Sequence, residues 1–172
     1  MNTTTDSIRS ACTAQTSIAT PLGTLMLART GRGLAGAWFE GQKHHPGSLT
    51  ALRRPDDALL REAADQLHDY FAGARDGFEL ALDLHGTAFQ RAVWQALLAI
   101  PGGRTRSYSA IARALGAASA LRAVGGAVGR NPLSVIVPCH RVVGSDGSMT
   151  GYAGGVERKR ALLALERAPV PA

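Results

Sequence analysis

The chain has 172 residues, of which 45% are hydrophobic and 19% charged, as in a globular protein of one or two domains. This composition excludes a disordered, collagen-like or coiled-coil chain, and no apolar run approaches the ~20 residues of a membrane span. The polar N-terminus lacks a signal-peptide stretch, and two cysteines exclude a disulfide framework and a Cys-rich zinc site. We therefore expect a soluble, cytoplasmic protein with reduced thiols.

The formal net charge of +6 is unevenly distributed along the chain. Residues 1–85 carry eight Lys/Arg and ten Asp/Glu, whereas residues 86–172 carry eleven Lys/Arg and three Asp/Glu. A basic half indicates a polyanionic partner, most often nucleic acid, although a solvated basic surface would have the same composition. The same division predicts two domains, 1–85 and 86–172.

The first half has the pattern of a small domain with a sheet and one helix. Helical spacing of apolar residues runs from Asp56 to Ala72, with carboxylates at its start and Gly73 at its end. Residues 1–15 are expected to form a loose tail and residues 43–54 a loop. Strands are predicted over 18–28, 34–39 and 78–84, with a turn at Arg32-Gly33.

The second half is predicted to be mostly helical. Thr87 and Ser107 are placed as N-caps of the first two helices, which end near Pro101 and Gly116. The second of these and a third helix over 120–128 fit a helix-turn-helix, a common DNA-binding motif. An uncharged run over 133–137 predicts a buried strand, residues 150–155 a glycine-rich loop, and residues 156–166 a last helix.

The clearest chemistry lies around Cys139, which follows Pro138 at the end of the predicted buried strand. His140 can accept the thiol proton and Arg141 adds positive charge, and both effects favour the nucleophilic thiolate. An acid is needed to orient the histidine, and Glu166 is the best candidate because it ends a helix among leucines. The alternative is a buried structural thiol beside a surface histidine.

An ordered set of motifs resembles the O6-alkylguanine-DNA alkyltransferases, also called methylated-DNA–protein-cysteine methyltransferases. The central string is Asn131-Pro132 followed by IVPCHRVV at 136–143, and the resemblance covers about residues 86–167. Further matches are Phe89-Gln90, Trp94, Ser107-Tyr108, RAVGGA at 122–127, GYAGG at 151–155 and LLALE at 162–166.

The resemblance implies an irreversible, single-turnover transfer of the alkyl group from guanine O6 to Cys139. His140 would take the thiol proton through a water molecule, and Glu166 would orient His140. Asn131 would brace the turn before the active-site loop. Tyr108 would donate a proton or hydrogen bond to the leaving guanine.

The resemblance further implies that the damaged base is flipped out of duplex DNA bound through its minor groove. Arg122 would fill the gap that the base leaves. The implied DNA contacts are Arg122, Ala123, Gly125, Gly126 and Arg141, and the implied base-pocket residues are Tyr152, Val142 and Ala153. Ala153 stands where many family members have a serine, so a side-chain contact to the base is lost there.

The fold implied is α+β, with a small RNase H-like N-terminal domain and a mostly helical, winged-helix-like C-terminal domain with the helix-turn-helix. The expected partner is double-stranded DNA containing O6-alkylguanine, with O4-alkylthymine a possible second lesion. The protein would act as a monomer without cofactor or metal, since it is itself the alkyl acceptor.

Three other functions remain open on the sequence alone. The first is a sensor that flips the same lesion without repairing it, although such proteins lack the cysteine. The second is an unrelated helix-turn-helix regulator, for which no dimerisation segment is evident. The third is a Cys–His–Glu hydrolase, for which no oxyanion-loop signal is evident.

Overall fold

The computed structural model describes residues 3–149 and 151–168. The chain divides into two compact units, Met1–His85 and Gly86–Ala172. Among the described residues, no helix has both the length and the apolar character needed to cross a bilayer. The first residue of the predicted loop over 150–155, Thr150, lies outside the described residues.

The first unit is a four-stranded sheet with the strand order β3-β2-β1-β4 and two helices. Strands β1 and β2 form an antiparallel hairpin, β3 is antiparallel to β2, and the short β4 is parallel to β1. Asp57 caps the second helix by accepting a hydrogen bond from the Leu60 backbone N–H. The elements are α1 (Thr3–Ala11), β1 (Ala14–Thr20), β2 (Gly23–Arg29), β3 (Leu34–Phe39), β4 (Leu52–Arg53) and α2 (Ala58–Phe71).

Two expectations for the start of this unit are wrong. The expected tail contains α1, because Ile8 is buried in a cluster that includes Trp38. The single strand expected over 18–28 is a hairpin, because Gly23 adopts φ +115° directly after the turn.

The strand predicted over 78–84 is also wrong. Only an isolated bridge joins Leu82 to Leu34. At Glu79 the side chain of Gln66 takes both backbone groups, accepting from the N–H at 2.9 Å and donating to the carbonyl at 3.1 Å. A side chain of α2 thus replaces a neighbouring strand as the hydrogen-bond partner.

In its described residues the second unit contains four α-helices and one pair of short parallel strands, β5 and β6. Thr87 and Gln90 form a capping box, and Ser107 caps the next helix, as expected. The Trp94 indole N–H donates to the Ala127 carbonyl at 2.8 Å and so ties the first helix to the third. The elements are α3 (Ala88–Leu98), β5 (Arg106–Ser107), α4 (Tyr108–Ala114), α5 (Leu121–Gly129), β6 (Val142–Val143) and α6 (Val156–Leu165).

Helices α4 and α5 form the predicted helix-turn-helix. Gly116, at φ +67°, ends the turn that follows α4. A short 3₁₀ segment, Ala118–Ala120, then leads into α5.

Candidate active site

A buried turn precedes Cys139 where a strand was predicted over 133–137. Within it Val135 has φ +73°, and the Val137 N–H donates back to the Leu133 carbonyl at 2.9 Å. The Asn131 side chain accepts from the Leu133 N–H at 2.9 Å and donates to the Val137 carbonyl at 2.8 Å. The apolar run is therefore buried as a turn, because an asparagine side chain supplies hydrogen bonds that a sheet would have supplied.

Cys139 opens a 3₁₀ turn, Cys139–Arg141, and is only 4% exposed. The Asn131 amide donates to its sulfur atom at 3.1 Å. Burial raises the pKa of the Cys139 thiol to about 11, with the Asn131 bond and the Lys159 charge acting in the opposite direction. The expectation that the surroundings favour the thiolate is therefore wrong for the resting protein, which holds a neutral thiol.

His140 and Glu166 form a buried pair beside this cysteine. The distance between His140 Nε2 and Glu166 Oε1 is 2.7 Å, and the two side chains are 0% and 2% exposed. Burial lowers the pKa of His140, while the Glu166 carboxylate acts in the opposite direction. The buried Nδ1 atom of His140 makes no hydrogen bond within residues 3–149 and 151–168. The imidazole is thus neutral and has one nitrogen with proton-accepting capacity.

The structure places Arg141, which the resemblance implied as a DNA contact, inside the protein. Its guanidinium is buried and makes two hydrogen bonds to Glu166, from Nε to Oε2 at 2.9 Å and from Nη2 to Oε1 at 2.8 Å. A third bond runs from Nη1 to the Ile100 carbonyl at 2.6 Å. The positive charge therefore faces a carboxylate inside the protein.

Lys159, which sequence reasoning missed, is fully buried next to the site. Its ammonium donates to the Val142 carbonyl at 2.6 Å and to the Gly151 carbonyl at 3.4 Å. Burial lowers its pKa to about 8, with the Cys139 charge opposing. The spacing in the sequence could have predicted its position. Lys159 precedes Glu166, the C-cap residue of α6, by two helical turns, so both lie on the same side of the helix.

The predicted base-pocket residues lie on segments that converge on this turn. Val142 is buried, whereas Tyr152 and Ala153 are half-buried. Lys159 joins the Val142 backbone to the backbone of Gly151, the neighbour of Tyr152. A Cβ at Gly154 would lie 2.6 Å from the Tyr152 ring, so this glycine permits the close approach of the ring to the backbone.

Tyr108 lies at the start of α4 and is half-buried. Pairing of β5 with β6 places Ser107 opposite Val143 and so brings the start of α4 beside the segment after Cys139–Arg141. The hydroxyls of Ser109 and Ser145, 3.1 Å apart, also link these two segments.

Helix α5 has one buried face and one open face. Val124, Ala127 and Val128 are buried, whereas Arg122, Ala123 and Gly126 are exposed. A Cβ added at Gly125 or Gly126 would meet nothing within 4 Å. These glycines are therefore not needed for internal packing, and a backbone could approach the helix closely on that side. No group of three or more His, Cys, Asp or Glu among the described residues could hold a metal ion.

Comparisons with known proteins match both units. The DNA-binding domain model of 6-O-methylguanine DNA methyltransferase matches residues 88–168, and the ribonuclease-like domain model matches residues 14–84. Methylated-DNA--protein-cysteine methyltransferase of Mycobacterium bovis is 50% identical over 90% of this chain and 93% of its own length. The relative of the same name from Mycobacterium leprae is 48% identical over 88% and 90%.

Solved structures agree. Mycobacterium tuberculosis OGT in complex with DNA superposes with a TM-score of 0.81 and 48% identity, covering 91% of this chain and 95% of that one. An O6-methylguanine DNA methyltransferase from Methanococcus jannaschii has a TM-score of 0.65 and 27% identity, covering 91% and 96%.

Proposed function

The chain belongs to the 6-O-methylguanine DNA methyltransferase family, and we propose that it repairs duplex DNA by moving the alkyl group of O6-alkylguanine irreversibly onto Cys139. The observation that carries this proposal is a buried cysteine directly followed in the chain by a neutral histidine that a buried glutamate holds. The DNA complex of the Mycobacterium tuberculosis relative supports DNA as the partner. We assign the protein to the cytoplasm, as a monomer.

The proposed transfer is a single displacement. A bond forms between the Cys139 sulfur and the alkyl carbon, while the bond from that carbon to O6 breaks and its electrons stay on guanine. The thiol proton moves to Nδ1 of His140, through a bridging water molecule, as sulfur attacks. Tyr108 supplies a proton or hydrogen bond to the leaving guanine, so that the thiol proton is balanced by one gained on the base.

Asn131 has two proposed effects. It holds the turn and donates to the sulfur at 3.1 Å, a bond that stabilises the developing thiolate. Since burial raises the pKa of the resting thiol to about 11, we propose that ionisation accompanies binding or attack. A buried thiol of this kind is protected from adventitious alkylation and oxidation until a base occupies the pocket.

For DNA we propose that residues 86–172 bind and react, and that residues 1–85 act as a scaffold. The open face of α5, with Arg122, Ala123, Gly125 and Gly126, would enter the minor groove, and Arg122 would replace the flipped base. Tyr152 and the backbone at Val142 and Ala153 would line the base pocket. O4-alkylthymine is included as a second lesion to be assayed.

The test is intact-protein mass spectrometry after mixing with duplex DNA that contains O6-methylguanine. We expect a mass gain of one methylene on Cys139, complete at one equivalent. The gain should be absent in Cys139→Ser and retained in Cys12→Ser, which removes the other cysteine of the chain. Lesion binding without a mass gain would favour the sensor. If the protein neither binds the lesion nor takes up the methyl group, the proposal is refuted.

A further inference from the structure

We infer that Arg141 is a positioning residue for the transfer: it holds Glu166 as a carboxylate, so that His140 stays neutral and able to take the thiol proton. This inference rests on the proposed function and extends it to a residue that does not touch the substrate. It replaces the DNA contact that the sequence suggested for Arg141.

The geometry makes Glu166 a shared acceptor. Its Oε1 atom accepts a hydrogen bond from Nη2 of Arg141 at 2.8 Å, and its Oε2 atom accepts one from Nε of Arg141 at 2.9 Å. The same Oε1 atom lies 2.7 Å from Nε2 of His140. Two parallel bonds fix the plane of the carboxylate as well as its position. The third bond of Arg141, to the Ile100 carbonyl at 2.6 Å, anchors this arrangement to the segment after α3.

Charge balance gives the arginine its chemical effect. A buried carboxylate needs one positive charge close by, and the permanently charged guanidinium supplies it. The histidine is then not required as the counterion. Without Arg141, the buried pair of His140 and Glu166 would hold one proton more than a neutral imidazole and a carboxylate hold, because a buried carboxylate without a counterion is too costly. A pair that already holds this proton cannot accept the proton of Cys139.

The other charged groups near His140 do not replace this effect. On its own turn the only other charge is Arg141, and α6 contributes Glu166 and Lys159, of which the lysine opposes protonation of the histidine. Helix α3, which also packs on the turn, carries a single charged side chain, Arg91, bonded to the Gly86 carbonyl. Glu166 is thus the carboxylate that acts on His140, and Arg141 donates two hydrogen bonds to it.

The experiment is the pH dependence of the transfer rate constant from duplex O6-methylguanine for wild type, Arg141→Met and Arg141→Lys. In Arg141→Met the acid limb of the profile should move up by about one pH unit or more. Well below the shifted midpoint the rate should therefore fall about tenfold for each pH unit of the shift, and it should recover at higher pH. Arg141→Lys keeps a charge and should lie between the two. A purely structural role would lower the rate equally at all pH values.

Two further measurements separate the alternatives. The imidazole NMR signals of His140 should titrate at higher pH in Arg141→Met than in wild type, which reports the effect without any transfer. The salt dependence of DNA binding should be unchanged, because the guanidinium makes no phosphate contact. Arg160→Met, an exposed charge on α6, is the matched control and should behave as wild type.

The outcomes are distinct from failure of the proposed function. Wild type that transfers no alkyl group refutes the function, whereas active wild type with superimposable profiles for all variants refutes the role of Arg141. A smaller salt slope in Arg141→Met would restore the DNA contact. If Arg141→Met does not fold, an unshifted His140 titration in Arg141→Lys, combined with a rate loss that does not vary with pH, also overturns the inference.

Discussion

Replacing Asn131 by alanine tests how the turn before Cys139 is held. The asparagine side chain makes three contacts to backbone groups: it accepts from the Leu133 N–H and donates to the Leu133 and Val137 carbonyls. The two carbonyls each keep a second hydrogen bond, from Val137 N–H and Cys139 N–H respectively. Of these three groups, only the buried Leu133 N–H loses its hydrogen-bond partner within the described part of the chain.

The magnitude follows from this inventory. One buried donor left without a partner costs about 1–3 kcal/mol, and the weakened carbonyl contacts add about 1 kcal/mol. We therefore expect Asn131→Ala to lower the free energy of unfolding by about 2–4 kcal/mol. For a unit of this size each kcal/mol corresponds to about 4–8 °C in Tm, so Tm should fall by roughly 8–32 °C.

Thermal and urea unfolding of wild type, Asn131→Ala and Ser119→Ala check this estimate. Ser119 is exposed in the same unit, so its variant should stay within about 0.5 kcal/mol of wild type. The alanine variant should also slow alkylation of Cys139, because the thiolate loses a donor. A destabilisation of Asn131→Ala no greater than that of Ser119→Ala would refute the argument.

The remaining predictions concern charge and packing around the same turn. Lys159→Met should raise the pKa of Cys139 further, and the pH profile of iodoacetamide alkylation would report this; an unmoved profile contradicts the electrostatic contact. Methylation of Cys139 should lower the free energy of unfolding by about 1–3 kcal/mol, and with it Tm, because a packed site tolerates added bulk poorly. Equal Tm values of the two forms would reject this. Between pH 9 and about 11 the unfolded thiol ionises while the folded one stays protonated, so stability falls with pH; Cys139→Ser should show a shallower fall in pH-dependent urea titrations. Arg122→Ala should slow transfer from duplex DNA but not from the free base O6-benzylguanine, and equal losses would place Arg122 outside base flipping.

Helices α2, α3 and α4 were predictable because their N-termini are marked locally. Thr87 and Ser107 cap helices as predicted, and Asp57, one of the two carboxylates expected at the start of a helix, caps α2; a cap acts within three residues of itself. The helix-turn-helix followed from the same signals. The pairing of His140 with Glu166 was also inferred, since the second half offered only three acids.

The predictions that were wrong share a different cause. Leu133–Val137 became a turn because one buried side chain, Asn131, satisfied its backbone, and an apolar run alone does not distinguish the two structures. The segment Thr3–Ala11 is helical because Ile8 is buried in one cluster with Trp38, 30 residues away. Such long-range partners are not visible in local patterns.

Arg141 and Lys159 show how the same limit affects the site. By composition each is a basic residue in a basic half, which indicates DNA, yet both are buried and bonded within the protein. Their effects on the transfer of the thiol proton from Cys139 to His140 are separable. Arg141 balances Glu166 and leaves His140 neutral, whereas Lys159 lowers the free energy of a negative charge at Cys139. One cation thus preserves the base and the other assists the nucleophile.

A protein that acts once does not need to restore either group afterwards. The resting thiol is neutral and the alkylated sulfur carries no charge either, but the alkylated sulfur can no longer ionise, so Lys159 cannot gain a thiolate counterion at any pH. The alkylated state therefore combines added bulk with a buried lysine that has lost its nearest potential counterion. Added bulk acts against the folded state at any pH, whereas the lost counterion acts only where the thiol of the unmodified protein ionises. If the lost counterion contributes, Lys159→Met should reduce the loss of Tm on methylation relative to wild type in alkaline buffer and not at neutral pH. An identical loss in both proteins would leave steric bulk as the sole cause.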